Sequence, residues 1–181
     1  MNRAVFLDRD GVINQKAPEG EYVTRLSDLV FLPEVSDAVR LLRSAGFLVI
    51  IVTNQRGVSR GKIALAELQT MHEAIAQFFS AEHAPLDDIY FCPHEGGCEC
   101  RKPAPGMLLR AAREHRIDLQ NSWLVGDSLS DIEAGKRAGC KTVLISGIAP
   151  DWPSELQPDL RADNLPQAAT SILATDRTPA G

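Results

Sequence analysis

The chain has 181 residues, of which 44% are hydrophobic, and a formal net charge of -5. This length predicts a single domain over residues 1–181, because domains usually run to about 100–200 residues. The acidic balance gives no general attraction to nucleic acid or to an anionic membrane, and no apolar run is long enough for a signal-peptide core or a membrane span. We therefore expect a cytoplasmic protein that binds a small molecule.

Short strand-like segments alternate along the chain with longer amphipathic segments. Strands are predicted at residues 4–7, 47–52, 89–91, 123–125 and 142–145. Helices are predicted at residues 35–44, 65–79, 106–115 and 131–138, with Gly46 and Gly139 as helix stops. This alternation is typical of an α/β fold with an open, mostly parallel sheet covered on both faces. After Pro150 we expect a packed surface arm, about residues 150–181, with a short helix near 167–173 and a loose tail.

Polar groups follow four of the predicted strands. They are Asp8-Arg9-Asp10-Gly11, then Thr53-Asn54-Gln55, then the segment from Cys92 to Lys102, and finally Gly126-Asp127-Ser128. In open α/β sheets ligands bind at the carboxyl ends of the strands. The functional site is therefore predicted at this edge of the sheet.

Asp8 and Asp10, close together at a strand end, can have two different chemical roles. One carboxylate can bind a metal and attack phosphorus, while the other exchanges a proton with the leaving alcohol and with water. A carboxylate that attacks an anionic phosphate meets charge repulsion, so the reaction requires cations. Asp127 can help to hold Mg²⁺, and Lys102 supplies a positive charge. Thr53 and the adjacent backbone amides can donate hydrogen bonds to the phosphoryl oxygens.

The motifs DRDGVIN, VTNQ, RKP and GDSLSD occur in this order within roughly residues 3–147. Together they resemble the four motifs of the haloacid dehalogenase superfamily. The resemblance implies a three-layer α/β/α Rossmann-like sandwich, catalytic Mg²⁺ and a covalent aspartyl intermediate. There is no long insertion after Gly11, or between Thr53 and Lys102, that could fold as a separate cap domain. The site is therefore expected to be open.

The same resemblance implies a role for each motif residue. Asp8 would be the nucleophile and a metal ligand, and Asp10 the general acid/base and a metal ligand through its carbonyl. Thr53 and Lys102 would bind the phosphoryl group, and Asp127 would be a further Mg²⁺ ligand. Asp131 would contact the metal, or orient Lys102 or a metal-bound water.

The segment CPHEGGCEC, residues 92–100, predicts a metal-binding loop. Cys92, His94, Cys98 and Cys100 form a Cys₃His set suited to tetrahedral Zn²⁺, and four protein ligands leave no open position for substrate. The zinc would therefore be structural and would fix the following segment, which presents Arg101 and Lys102. Reduced surface thiols beside a chance histidine are the alternative interpretation.

Within the superfamily, a zinc loop of this kind resembles two groups, the heptose 1,7-bisphosphate 7-phosphatases and the histidinol-phosphate phosphatases. The segment NQRGVSRGK resembles the NQSGxARGK pattern of the heptose group and lacks the NQDGxGT pattern of the histidinol group. The short zinc loop, in contrast, is closer to the histidinol kind. The resemblance to the heptose group implies removal of the 7-phosphate of a heptose 1,7-bisphosphate, a step in ADP-heptose and lipopolysaccharide core synthesis. Histidinol phosphate is the alternative substrate.

A bisphosphate carries a second anionic group, and several cations near the strand ends are candidates to bind it. They are Arg56, Arg60, Lys62 and Arg101. For Arg60 and Lys62, a solvated loop is an equal alternative. The predicted substrate-binding set is completed by Asn54, Gln55, Ser128 and Tyr22, the last in a GEYV segment that resembles the substrate-facing GYV segment of the heptose group. We expect a monomer, and we expect His72, His83 and His115 to be solvated or to cap helices.

Overall fold

The computed structural model describes residues 1–145 and 151–176. Six parallel strands form one sheet in the order β3-β2-β1-β4-β5-β6. The strands are β1 (Arg3–Leu7), β2 (Phe47–Asn54), β3 (Asp88–Cys92), β4 (Trp123–Gly126), β5 (Lys141–Ile145) and β6 (Leu160–Ala162). The helices are α1 (Val35–Ser44), α2 (Leu65–Ala81), α3 (Gly106–His115), α4 (Leu129–Ala138) and α5 (Leu165–Asp176).

Strand β1 lies at the centre of the sheet and is buried on both faces. Val5 and Leu7 pack into one core, and Ala4 and Phe6 pack into the other. Successive side chains of a strand point to opposite faces, so a continuous apolar run requires cover on both sides. Helices α1 and α5 and the C-terminal half of α2 cover the first face, whereas α3 and α4 cover the second. The predicted three-layer Rossmann-like sandwich is confirmed, and no described element forms a separate cap domain.

Most predicted elements are confirmed, with small differences at their ends. Helices α1 and α3 have the predicted bounds, and the strands extend by one or two residues. Helix α4 begins two residues earlier than predicted, because Ser128 is its N-cap and Asp131 completes a capping box. Gly46 and Gly139 follow helices with φ of 84° and 85°, as their predicted role as helix stops requires.

The helix predicted near residues 167–173 is confirmed as part of α5, but the surface arm predicted after Pro150 is corrected by the structure. Strand β6 pairs with β5, and helix α5 packs against α1. Helix α5 buries four apolar side chains, those of Leu165, Ala168, Ala169 and Ile172. A three-residue strand is too short to show an alternating pattern, and the nearby prolines indicate a loop, so the sequence hid this pairing. Residues 146–150 and 177–181, which include the predicted loose tail, lie outside the described residues.

His72 is a second correction, because its side chain is buried rather than solvated. It is 7% exposed and packs against the Phe91 ring, with 5.2 Å between centroids. The reason is its position on α2, one residue from Met71 on the inward-facing stripe. Burial lowers the pKa of His72 to about 4, and the nearby guanidinium of Arg9 adds to the effect.

The topology brings the polar strand ends together. From β1 the chain moves to β2 on one side, and later returns to place β4 on the other side of β1. The carboxyl ends of β1 and β4 therefore border the switch point at which open α/β sheets bind ligands. No helix of the described part of the chain has the length and apolar character needed to cross a membrane.

Candidate active site

Asp8 and Asp127 meet where β1 and β4 end. The Asp8 amide donates to the Val125 carbonyl at 2.9 Å, which continues the pairing of the two strands. The chain then turns at Gly11, whose φ is +92° and where an added Cβ would lie 2.3 Å from Asp127 Oδ2. Only glycine combines this backbone conformation with so close an approach. The DRDG turn therefore brings the first motif against the last.

Lys102 is a buried cation of the site. Its Nζ lies 2.8 Å from Asp8 Oδ1 and 2.6 Å from Asp131 Oδ1, and it donates to the Val52 carbonyl at 2.7 Å. Burial disfavours the charged ammonium, but the two carboxylates outweigh this effect and hold the pKa of Lys102 above its usual range. Lys102 is therefore a fixed positive charge beside Asp8.

Asp8 is buried and its oxygen faces the cavity. Burial raises the pKa of Asp8 to about 7, although the ammonium of Lys102 opposes the shift. Only the ionised carboxylate can attack phosphorus, and the ammonium of Lys102, 2.8 Å from Asp8 Oδ1, favours that form. The environment of Asp8 therefore suits covalent chemistry.

Asp10 is held by three donors. Arg9 Nη2 donates to Oδ1 at 2.9 Å, Asn14 Nδ2 donates at 2.9 Å, and Gln55 Nε2 donates to Oδ2 at 3.1 Å. Burial pushes the pKa of Asp10 upward, but the Arg9 guanidinium and these hydrogen bonds outweigh it and hold the pKa below its usual range. The carboxylate of Asp10 therefore has a defined orientation next to Asp8.

Arg9 was missed by the sequence reasoning, although it lies between the two aspartates. Its side chain is 1% exposed, and its Nη1 has no hydrogen-bond partner among the described residues. An arginine buried to this degree has to pair with a carboxylate, and the adjacent Asp10 is that partner. The DRD sequence, in which Arg9 is flanked by two aspartates, was the feature that could have indicated its role.

Asp131 lies between Lys102 and the start of α4. Its Oδ2 accepts hydrogen bonds from the Ser128 amide at 3.1 Å and the Ser128 hydroxyl at 2.5 Å. At Gly126 an added Cβ would lie 2.2 Å from the Asp131 Cβ, so a glycine is needed there. Of the three possibilities left open for Asp131, this geometry favours a residue that orients Lys102.

Three carboxylates form a cluster that can hold a hard cation. Oxygen atoms of Asp8, Asp127 and Asp131 lie within 4.8 Å of one another. Carboxylate oxygens are the ligands that Mg²⁺ prefers, and Mg²⁺ sites commonly use one or two carboxylates together with waters and substrate phosphate. The residues present therefore fit Mg²⁺.

The second motif supports the site from β2. Thr53 is 1% exposed, and its hydroxyl accepts a hydrogen bond from Gln55 Nε2 at 2.9 Å. The side-chain amide of Asn54 contacts the backbone of Lys102: its Nδ2 donates to the Lys102 carbonyl and its Oδ1 accepts from the Lys102 amide, both at 3.0 Å. The motif thus fixes the segment that carries the buried lysine.

A cavity of about 280 Å³ opens over these groups. The predicted site residues that line it are Asp8, Asp10, Tyr22, Thr53, Asn54, Gln55, Lys102, Asp127 and Ser128. The cavity also contains Lys16, which sequence reasoning did not single out and whose Nζ lies 2.7 Å from Asp127 Oδ2. Its position shortly after the DRDG turn, in the segment between β1 and α1, was the only feature of the sequence that could have indicated it.

The predicted arginines lie at the edge of this cavity, outside its lining. Arg60 forms an ion pair with Glu95 at 2.7 Å and donates to the Tyr22 hydroxyl at 3.1 Å. Arg56 lies 3.6 Å from Glu95, and Arg101 donates to the His94 carbonyl at 3.3 Å. Tyr22, which lines the cavity, therefore connects Arg60 to it.

The four predicted zinc ligands converge in the loop after β3. Cys100 Sγ lies 3.1 Å from Cys92 Sγ and 3.5 Å from Cys98 Sγ, and His94 Nδ1 lies 3.2 Å from Cys100 Sγ. Sulfur ligands around tetrahedral zinc are roughly 3.8 Å apart for a Zn–S bond of about 2.3 Å. The cluster is close to that size and its ligand atoms face one another, so the residues fit Zn²⁺.

Comparison with known proteins agrees with these features. A family model described as "HAD-hyrolase-like" matches residues 99–168. The chain is 38% identical over 148 residues to a D-glycero-beta-D-manno-heptose-1,7-bisphosphate 7-phosphatase of Pseudomonas aeruginosa, an alignment covering 80% of this chain and 82% of the relative. It is also 38% identical over 143 residues to a D-glycero-alpha-D-manno-heptose-1,7-bisphosphate 7-phosphatase of Campylobacter jejuni, covering 79% and 81%.

A solved structure extends this similarity to the fold. It is a D,D-heptose 1,7-bisphosphate phosphatase from B. bronchiseptica complexed with magnesium and phosphate, with a TM-score of 0.84 and 31% identity over 96% of this chain and 99% of that chain. The similarity therefore covers the whole sandwich. The chain belongs to the haloacid dehalogenase superfamily, in the phosphatase family of the D-glycero-D-manno-heptose 1,7-bisphosphate 7-phosphatases.

Proposed function

We propose that this phosphatase removes the 7-phosphate of D-glycero-D-manno-heptose 1,7-bisphosphate and leaves the 1-phosphate. The observation that carries the proposal is the buried Asp8 carboxylate, which faces the cavity with Lys102 Nζ 2.8 Å away and Asp127 beside it. The names of the relatives support the substrate, because both the alpha and the beta heptose bisphosphate enzymes are similar to this chain.

Mg²⁺ would be held by the carboxylates of Asp8 and Asp127 and by the carbonyl of Asp10. When bound, it would neutralise negative charge on the phosphoryl oxygens. Zn²⁺ would be held by Cys92, His94, Cys98 and Cys100 and would keep the zinc loop, residues 92–100, in shape. Because Lys102 lies only two residues beyond that loop, an ordered loop would fix where the buried ammonium lies.

In the first step, an Asp8 oxygen attacks the phosphorus of the 7-phosphate. The bond between phosphorus and the sugar oxygen breaks, and Asp10 passes a proton to that oxygen, so the sugar leaves as an alcohol. Because the pKa of Asp10 lies below its usual range in the free site, Asp10 has to take up this proton when the anionic substrate binds. The ammonium of Lys102 and the hydroxyl of Thr53 stabilise the negative charge on the phosphoryl oxygens. The product on the protein is an acyl phosphate on Asp8.

In the second step, Asp10 is an ionised base. It takes a proton from water while the water oxygen attacks the phosphorus, and the bond between phosphorus and Asp8 breaks to release inorganic phosphate. The hydrogen bonds from Arg9, Asn14 and Gln55 orient Asp10 for both proton transfers. Asp8 and protonated Asp10 are regenerated for the next cycle.

The remote 1-phosphate would lie at the cavity edge, near Arg56, Arg60 and Arg101. Tyr22, Gln55 and Ser128 line the cavity, and we propose that they contact the sugar. Asn54, whose amide group is committed to Lys102, would act on substrate through that lysine. The ADP-heptose pathway, the cytoplasmic location, the single domain and the monomer stay predictions.

The test is phosphate release from both anomers of heptose 1,7-bisphosphate and from histidinol phosphate, each with Mg²⁺ and then with EDTA. We expect Mg²⁺-dependent turnover of a bisphosphate, little turnover of histidinol phosphate, and no turnover by Asp8→Asn. A preference for histidinol phosphate would contradict the proposed substrate. Unchanged turnover by Asp8→Asn would contradict the proposed nucleophile.

A further inference from the structure

A rim cluster lies at the edge of the active-site cavity and consists of Tyr22, Arg56, Arg60, Glu95 and Arg101. Glu95 is its only carboxylate. It accepts hydrogen bonds from Arg60 Nε at 2.9 Å and Nη2 at 2.7 Å, so the guanidinium and the carboxylate form a bidentate pair. Arg56 Nη1 lies 3.6 Å from the same carboxylate. These arginines and the nearby Arg101 lower the pKa of Glu95, the hydrogen bonds from Arg60 most of all.

The rim cluster joins two loops that the fold holds side by side. Arg56 and Arg60 lie between β2 and α2, whereas Glu95 belongs to the zinc loop. Backbone hydrogen bonds link the loops: the Gln55 amide donates to the Cys92 carbonyl at 2.8 Å, and the Ser59 amide donates to the Pro93 carbonyl at 3.2 Å. The zinc loop therefore places one carboxylate among the arginines of the rim cluster.

The bond between Glu95 and the arginines is exchangeable. The side chains of Arg60 and Glu95 are 42% and 53% exposed, and exposed ion pairs are weak because water and salt screen them. A phosphate monoester carries a charge of about -1.5 to -2 at pH 7 and has three acceptor oxygens, whereas a carboxylate carries one charge and two oxygens. Arginine forks bind both groups in the same geometry. A phosphate delivered to the rim cluster can therefore displace Glu95.

We propose that Glu95 is a specificity residue that occupies the arginine site as an internal competitor and gives it up to the remote phosphate of a bisphosphate. This inference rests on the proposed function. Glu95 keeps Arg56 and Arg60 together, and it prevents weaker anions from binding there. A sugar monophosphate bound with its phosphate at Asp8 has no second phosphate to displace Glu95. Its affinity for the site is therefore independent of Glu95.

The test compares Glu95→Gln with wild type on heptose 1,7-bisphosphate and on heptose 7-phosphate, at one fixed ionic strength. Glutamine keeps the size of the side chain and removes the competing charge. We expect KM for the bisphosphate to fall by about threefold to tenfold with kcat unchanged, and KM for the monophosphate to stay the same. In an Arg60→Met background the substitution should have a much smaller effect, because the site is already incomplete.

The matched control is Glu99→Gln, in the same loop, whose exposed side chain makes no hydrogen bond or ion pair with the described residues. It should leave both KM values unchanged. An unchanged or raised KM for the bisphosphate in Glu95→Gln would overturn the competitor role while leaving the proposed function intact. An equal change for both substrates would also overturn it, since the effect would then be structural. Absence of bisphosphate turnover by wild type would overturn both proposals.

Discussion

The side-chain amide of Asn54 brackets the backbone of Lys102, donating to its carbonyl and accepting from its amide at 3.0 Å each. Strand β2 thereby holds the segment that follows the zinc loop, and it does so at the residue whose ammonium lies beside Asp8. The positions of the second and third motifs are thus coupled through one side chain. Substitution of Asn54 should therefore displace Lys102 and lower kcat.

Asn54→Ala should lower kcat by about tenfold to a hundredfold with little change in KM, because a shift of roughly 1 Å in a catalytic group can cost this much. Steady-state kinetics on the bisphosphate tests the prediction. Circular dichroism checks that the variant is folded. If Asn54 instead binds substrate directly, KM will rise while kcat stays the same.

Arg9→Lys should also lower kcat by about tenfold or more. Lysine keeps the charge but loses the planar fork that orients Asp10, so the substitution is not conservative at this buried site. Arg9→Met should in addition lower the free energy of unfolding by about 1–3 kcal/mol, since Asp10 loses a charged partner. Arg113→Met, at an exposed position on α3, is the control and should change neither quantity. Wild-type kcat in Arg9→Lys would mean that the other two donors suffice for Asp10.

The buried His72 predicts a pH dependence of stability. Its pKa is about 4 in the folded chain and about 6.5 when unfolded, so between these values the unfolded chain binds the extra proton. The free energy of unfolding should therefore fall as pH drops from about 6.5 to 4, by on the order of 3 kcal/mol from this group, and the contribution should level off below pH 4.

Urea unfolding of wild type and His72→Met across this pH range measures the contribution. The variant should show a flatter profile between pH 6.5 and 4. His83→Asn is the control, because His83 is exposed and its φ of 56° suits asparagine. Parallel profiles for wild type and His72→Met would contradict a neutral, buried His72.

Cys98→Ser should reduce bound zinc from about one ion per chain to a small fraction, because a hydroxyl is a poor zinc ligand beside thiolates. Elemental analysis of protein purified from zinc-supplemented cells provides the measurement. Cys140→Ala removes a buried thiol outside the cluster and should retain zinc. Equal zinc contents in wild type and Cys98→Ser would contradict the proposed site.

The positions of Asp8, Asp10, Thr53 and Asp127 at the cavity could be predicted because a parallel sheet collects its carboxyl strand ends at one edge. Sequence could not give the contacts of Lys16 and Glu95, since these depend on the paths of two loops without regular structure. Asn54 illustrates an intermediate case: its place at a strand end was predictable, but its contact with Lys102 depends on how the zinc loop returns to β2. Strand β6 could not be predicted, because its three residues are too few to show a strand pattern and are extended through their pairing with β5.

The measurement that most directly tests the central claim is identification of the phosphate that remains on the sugar. After complete turnover of heptose 1,7-bisphosphate with Mg²⁺, phosphorus and proton NMR will show which carbon carries the remaining phosphate. The proposed function predicts heptose 1-phosphate, with phosphorus coupled to the anomeric proton, and no conversion by Asp8→Asn. Heptose 7-phosphate as the product would contradict the proposed orientation of substrate between Asp8 and the arginines at the rim.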